Sequence, residues 1–378
     1  MKRLFALVFA ALFLAGCRTP ALRTALSGPD RIDPHGGLYF DATPADLETA
    51  GIRAGDLVRI RLGAGTETEA AVVPTFRCVS VGSPALVSNP ESGRPLQLTI
   101  AYGCAALDYG LAERDPETRA WVPAKDIGFP LETEIVRTRA GGARANLALA
   151  SLRRTNARQD YPTLTDAEFA NARAMDVPGI ASGAILRSSS PADPSLGRNA
   201  AADAAARAAH ARAVFDMADT DAAFQAFPDV SSTYVASLPA FRRPLGVDPA
   251  ADEFARDLAD GFRFLLAYDT PWLLHCKEGQ DRTGFACALL GILAGAPMES
   301  VENDYLESFR LYYGVGPEHE AREPLRTNLH TILARAFRGE TPSPAAARAY
   351  LLRGGLTATE VDVLAAKLRQ PPLRKPTP

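Results

Sequence analysis

The stretch Trp272-Leu273-Leu274-His275-Cys276-Lys277-Glu278-Gly279-Gln280-Asp281-Arg282-Thr283-Gly284-Phe285-Ala286-Cys287-Ala288-Leu289-Leu290 decides how the chain is read. Its apolar start follows Pro271 and predicts a short buried strand. The run 283–294 is apolar on all sides and predicts a buried helix, broken by Gly295 and Pro297. Between them Lys277, Glu278, Asp281 and Arg282 crowd a strand-to-helix joint, where a purely structural connection has no use for so much charge.

The same alternation of strand and helix spreads outward from about residue 160, which implies an α/β layer fold. Ala184 to Arg187 predicts a strand ending at Ser188-Ser189-Ser190-Pro191, and alanine-rich Asn199 to Ala213 a helix. Val214 to Ala218 predicts the next strand, running into the acidic loop Asp219-Thr220-Asp221. Phe254, Leu258, Phe262 and Leu265 or Leu266 mark one face of an amphipathic helix. Another helix is predicted from Met298 to Tyr312, and Thr357-Ala358-Thr359-Glu360 has the capping-box pattern ahead of Val361, Leu364 and Leu368.

Residues 37–150 read differently. Val58, Ile60 and Leu62 alternate with Arg59 and Arg61, as Leu96, Leu98 and Ile100 alternate with their neighbours. Clusters such as Gly82-Ser83-Pro84 and Asn89 to Gly93 mark turns, so this stretch is expected to be a β-rich accessory domain. The catalytic layer is placed at 151–335, with a helical extension and tail over 336–378.

The 378 residues carry 41 Lys+Arg against 44 Asp+Glu, a net charge of −3 that offers no basic field for nucleic acid. Met1-Lys2-Arg3 precedes an apolar run from Leu4 to Ala15, which suits a signal-peptide core and falls short of the about 20 residues of a spanning helix. Leu14-Ala15-Gly16-Cys17 resembles the lipobox of bacterial lipoproteins. That resemblance implies cleavage of 1–16, lipidation of Cys17, and a tether over 17–36. With Arg18 after the cysteine, it implies an outer-membrane location facing the periplasm. In such an oxidising compartment Cys78 and Cys104 could pair, and two buried free thiols are the plainer alternative. His35, His210, His319 and His330 are dispersed, so no metal and no cofactor are expected.

Chemistry concentrates in residues 275–284. Backbone N–H groups of a loop at a helix N-terminus bind an anion and stabilise a thiolate. Cys276 is then a nucleophile and Arg282, separated from it by five residues, a planar fork for two phosphate oxygens. Gly279 lets the loop turn tightly, Thr283 is placed to donate to the sulfur, and His275 to fix the loop. Lys277, Glu278, Gly279, Gln280 and Gly284 complete the expected substrate-binding set. Cys287 reads as core packing, and Arg187 to Ser190 as a strand end tied by hydrogen bonds.

This loop resembles that of the cysteine-dependent phosphatases of the protein-tyrosine and dual-specificity superfamily. It is closest to a bacterial tyrosine-phosphatase-like group reading His-Cys-x-x-Gly-Lys-Asp-Arg-Thr-Gly. Leu186-Arg187-Ser188-Ser189-Ser190-Pro191, Val214 to Asp219 and Asn303-Asp304-Tyr305 resemble further segments of that group. The resemblance implies a cysteine-phosphatase α/β fold and hydrolysis of phosphate monoesters through a phosphocysteine. The expected substrate is a phosphotyrosine protein, with dual specificity as an extension and an inositol phosphate or phosphoinositide as the alternative. Asp281, directly before the arginine as in myotubularin-like lipid phosphatases, is the expected proton donor; Asp219, then Asp269 or Asp248, are the other candidates. Gln280 departs from the group's lysine, and Lys277 restores a positive charge at a different point. A non-catalytic phosphate-binding envelope module and a rhodanese-type sulfurtransferase are the competing classes.

Overall fold

Alternation of apolar and charged residues builds the first sheet. Val58, Ile60 and Leu62 are buried while Arg59 and Arg61 face solvent, and Arg61 pairs across the strands with Glu67 and Glu134 at 3.4 and 3.3 Å. The computed structural model describes residues 19–115, 118 and 120–372. The sheet has seven strands: β1 (Ala21–Leu26), β2 (Leu38–Tyr39), β3 (Leu57–Leu62), β4 (Thr66–Val73), β5 (Pro84–Val87), β6 (Gln97–Ile100) and β7 (Leu131–Arg139). Their spatial order is β1-β7-β3-β4-β5-β6-β2, with β4 and β5 parallel and the other pairs antiparallel.

The second sheet has five strands in the order β8-β9-β12-β10-β11: β8 (Arg173–Ala174), β9 (Ile185–Ser188), β10 (Ala213–Asp216), β11 (Ala240–Arg242) and β12 (Trp272–His275). All pairs are parallel except β8 with β9. Helices cover both faces, as a parallel sheet requires. Leu186, Val214 and Leu273 pack with α1 (Asn199–Ala208) on one face. On the other, Ile185, Phe215, Trp272 and Leu274 pack with α2 (Asp252–Leu265) and α3 (Asp281–Ala294). Each fully buried Leu or Phe there contributes about 1.5–3 kcal/mol. α3 is buried on all sides because α4 (Met298–Tyr313), α6 (Pro344–Arg353) and α7 (Ala358–Arg369) enclose it, while α5 (Arg322–Ala336) packs on α4.

The two sheets do not own separate cores. Val58, Ile60, Val72, Leu86 and Leu98 form a cluster of the first sheet. Val73, Ala85, Val79 and Leu149 belong instead to the large cluster that holds Phe254, Phe285 and Leu329.

Three expectations need correction. Residues 21–26, placed in a tether, are an edge strand whose Ala21–Leu26 pairs antiparallel with Val136–Leu131. The alanine-rich helix stops at Ala208, not Ala213, because His210 adopts a left-handed φ of 52° and turns the chain into β10. Beyond residue 336, α6 and α7 are part of the core around α3 rather than an extension. Cys78 and Cys104 are free, Cys78 buried and Cys104 half-buried, and their apolar surroundings belong to different clusters. The signal segment 1–16 and Cys17 lie outside the described residues. No helix among the described residues is long and apolar enough to cross a membrane.

Candidate active site

The loop between β12 and α3 is shaped from outside by its carbonyl groups. The Lys277 carbonyl accepts from Ser190 N at 3.1 Å. The Glu278 carbonyl accepts from Asn171 Nδ2 at 3.0 Å and the Tyr312 hydroxyl at 2.9 Å. The Gly279 carbonyl accepts from Arg187 Nη2 at 2.8 Å. In a trans peptide the N–H points opposite to the C=O. Tying these carbonyls outward therefore turns the amides of Glu278, Gly279 and Gln280 inward, and among the described residues none of them has an acceptor. With the α3 N-terminus they make a concave set of donors of the kind that suits an anion.

Gly279 is required for this shape. Its φ is +68°, and a Cβ there would lie 2.1 Å from the Ser188 carbonyl oxygen. Arg187, which holds Gly279, is fully buried and paired with Asp304. Arg173 also reaches Asp304, at 3.5 Å, and burial pushes its guanidinium down to about 10. The two arginines share the Ser308 hydroxyl at 3.2 and 3.1 Å, so strand ends and α4 together clamp the loop.

Cys276 follows β12 directly and is 3 % exposed. Arg282 lies on the first turn of α3, where Nη1 donates to the Met217 carbonyl at 2.7 Å. Thr283 is fully buried, but its hydroxyl has no hydrogen-bond partner among the described residues, so the expected bond to sulfur is not made here. Behind the loop, His275 stands beside Asp216 across the parallel strands, with Nδ1 3.8 Å from Asp216 Oδ1. Burial pushes His275 down to about 4, so it is neutral at pH 7. Burial raises Asp216 to about 6; burial and then the Asp216 charge raise Asp219 to about 6.

A cavity of about 370 Å³ reaches the loop at Glu278, Gln280, Asp281 and Arg282; Cys276 is not among its lining residues. Asp281 meets solvent through this cavity, yet protein atoms crowd it from the remaining sides. That crowding, followed by the Glu278 charge, pushes its carboxyl up to about 6. Gln280 Nε2 sits 3.4 Å from Asp281 Oδ1, a weak hydrogen bond that puts no charge beside the acid. Glu278 is held by Arg154 at 2.6 Å. Tyr305, Phe309 and Tyr313 of α4 give the cavity an aromatic side, and Leu325 and Leu329 of α5 an aliphatic one.

The structure thus brings Cys276, Glu278, Gly279, Gln280, Asp281, Arg282, Thr283 and His275 to one joint. It gives others different places. Lys277 pairs with Asp193 at 3.4 Å and does not line the cavity, so it does not stand in for a lysine at 280. Gly284 is buried against the Tyr305 ring, 3.0 Å from where its Cβ would be, and is a packing position rather than a substrate contact. Asp269 faces Arg212 and Lys367, away from the loop, and Asp248 pairs with Arg335. Arg154, Asn171 and Tyr312 carry no motif in the sequence; only their meeting at Glu278 marks them.

The first sheet also reaches the site. Arg77, Val79, Ser80, Val81 and Tyr102 form the cavity wall facing α4 and α5. Ser80 donates to Asn328 at 2.6 Å, and Arg335 donates to the Val81 carbonyl, so α5 fixes this wall.

The tyrosine phosphatase family matches residues 152–370, more than half of the chain. A solved structure described as an uncharacterized conserved protein from Thermotoga maritima is 19 % identical with a TM-score of 0.24; the match covers 32 % of this chain and 37 % of that one. The curated proteins give no match.

Proposed function

We propose that this chain, which belongs to the tyrosine phosphatase family, hydrolyses phosphate monoesters through a phosphocysteine on Cys276, with phosphotyrosine in a protein as the preferred substrate. The observation that carries the reading is the outward tie of the three loop carbonyls, which leaves inward amides beside a cysteine and an arginine. Such fixed donors act where charge develops in the transition state.

In the first step Cys276 Sγ attacks phosphorus while the bond to the leaving oxygen breaks. Arg282 and the loop amides hold the other phosphate oxygens. Asp281 gives its proton to the leaving oxygen. In the second step water gives a proton to the Asp281 carboxylate and attacks phosphorus, the S–P bond breaks, and phosphate leaves. A carboxyl pushed up to about 6 is suited to both transfers near neutral pH. The aromatic cavity side favours an aryl ester over an alkyl one. Anchoring through lipid on Cys17, in the outer membrane facing the periplasm, rests on the sequence of residues 1–18 alone. Palmitate labelling of the wild type that disappears in Cys17→Ser checks it.

The decisive test is acid quenching with ³²P-labelled phosphotyrosine peptide. The wild type should carry label at Cys276 and release phosphate, and Cys276→Ser should do neither. Undiminished turnover in Cys276→Ser ends the reading. An inositol phosphate turned over faster than any phosphopeptide moves the substrate to the alternative class.

A further inference from the structure

The first sheet places two side chains on the cavity that its own folding does not explain. Tyr102 sits in the turn after β6 with φ +57°, a conformation that Gly or Asn adopts more readily than an aromatic residue. The residue is 50 % exposed, its ring lies edge-on to Phe76 at 5.6 Å, and it borders the cavity. It shares the cavity lining with Asp281, and burial, then the Asp281 charge, push its phenol up. A strained residue held at a site points to a role for its side chain.

Arg77 lies on the short turn Phe76–Cys78. It is exposed, borders the cavity, and among the described residues its guanidinium makes no hydrogen bond or ion pair. The turn beneath it is fixed, because Asn146 donates to the Cys78 carbonyl at 2.7 Å and Ser80 is bonded to Asn328. Of the other lining arginines, Arg154 is engaged by Glu278 and Arg282 by the Met217 carbonyl. Among the described residues that line the cavity, Arg77 is therefore the uncommitted arginine, on a fixed turn.

We propose that Arg77 and Tyr102 are specificity residues of this site: Tyr102 contacts the ring of a phosphotyrosine, and Arg77 binds the carboxylate of an acidic residue beside it in the peptide. This rests on the phosphatase reading above and adds which peptides are chosen. A cavity of about 370 Å³ takes an aryl phosphate, and Arg77, exposed on its lining, is placed for the residue beside it.

The test uses two phosphotyrosine peptides that differ only by Glu or Gln next to the phosphotyrosine, with inositol hexakisphosphate as a third substrate. The full chain should prefer the Glu peptide about fivefold in kcat/KM, the size of one partly exposed ion pair, and through KM. Arg77→Ala should bring the ratio to one, and Arg77→Lys should keep most of it. Tyr102→Ala should raise KM for both peptides. No preference in the wild type, or a preference that survives Arg77→Ala, overturns the proposal. So does an Arg77→Ala effect confined to inositol hexakisphosphate. Fluorescence anisotropy of both peptides on Cys276→Ser reads the same preference in binding. Failure of cysteine chemistry and failure of the Arg77 assignment are thereby told apart.

Discussion

The two sides of the cavity are held in opposite ways. The loop is fixed by buried, overlapping bonds: Ser190, Asn171, Tyr312 and Arg187 each grip one of its carbonyls, from elements scattered over the second sheet and α4. The facing wall is held at its back by Val79 in the shared apolar cluster and by single bonds to Asn146, Asn328 and Arg335, and presents the exposed side chains of Arg77 and Tyr102 to the cavity. Chemistry needs atoms fixed within a fraction of an ångström, so its support is redundant. Recognition needs only a surface of the right charge and shape, and such a surface tolerates substitution.

The sharpest way to break this contrast is to move the loop backbone. Gly279→Ala puts a methyl 2.1 Å from the Ser188 carbonyl at a positive φ. At least a 100-fold loss of kcat is expected, because a loop shifted by about 1 Å misplaces its amides; steady-state kinetics on an aryl phosphate measure it, and near-normal kcat would show the loop is not over-determined. Arg187→Met comes next. It frees the Gly279 carbonyl and leaves Asp304 with a buried charge and only Arg173 beside it, an expected cost of about 3–5 kcal/mol in urea unfolding.

Gln280→Lys tests the electrostatics of the loop. A proton donor must be protonated, so kcat is expected to fall as pH rises through about 6. An ammonium beside Asp281 favours its ionised form, lowering its pKa by about 1–3 units. The alkaline limb of the pH–kcat profile should then move to lower pH; an unmoved limb would give the proton to another group, Asp219 first. The smallest effect is expected on the wall. At Gly82, φ is +76° and a Cβ would lie 1.3 Å from Arg335 Nη1, so Gly82→Ala pushes Arg335 off the Val81 carbonyl. Peptide selectivity should weaken by about threefold or less, with kcat for a small aryl phosphate changed less still, in keeping with the loss of one surface ion pair.

The loop was legible because its residues are consecutive and their contacts with the phosphate would be local. Periodicity likewise announced β3 and α2, and an unbroken apolar run announced α3, so the burial of each follows its own pattern. Sequence failed where partners are distant. β1 carries Arg23 and Thr24 between its apolar residues, and only β7, more than a hundred residues on, makes it a strand. Lys277 looked like a substitute for the charge missing at 280, but neighbouring loop positions point to different places, and Asp193 takes it. Arg77 and Tyr102 lie in a region without any motif and line the same cavity as Asp281 because α5 ties the first sheet over the joint.

Val73 and Ala85 of the first sheet share one apolar cluster with Phe254 and Leu329 of the helices around the loop. A chain cut at the boundary of the family match would therefore strip greasy surface from both halves, and neither piece is a self-sufficient module. Heat should melt them as one body. Evolution of a new wall is for the same reason coupled to the thermal endurance of the enzyme beneath it.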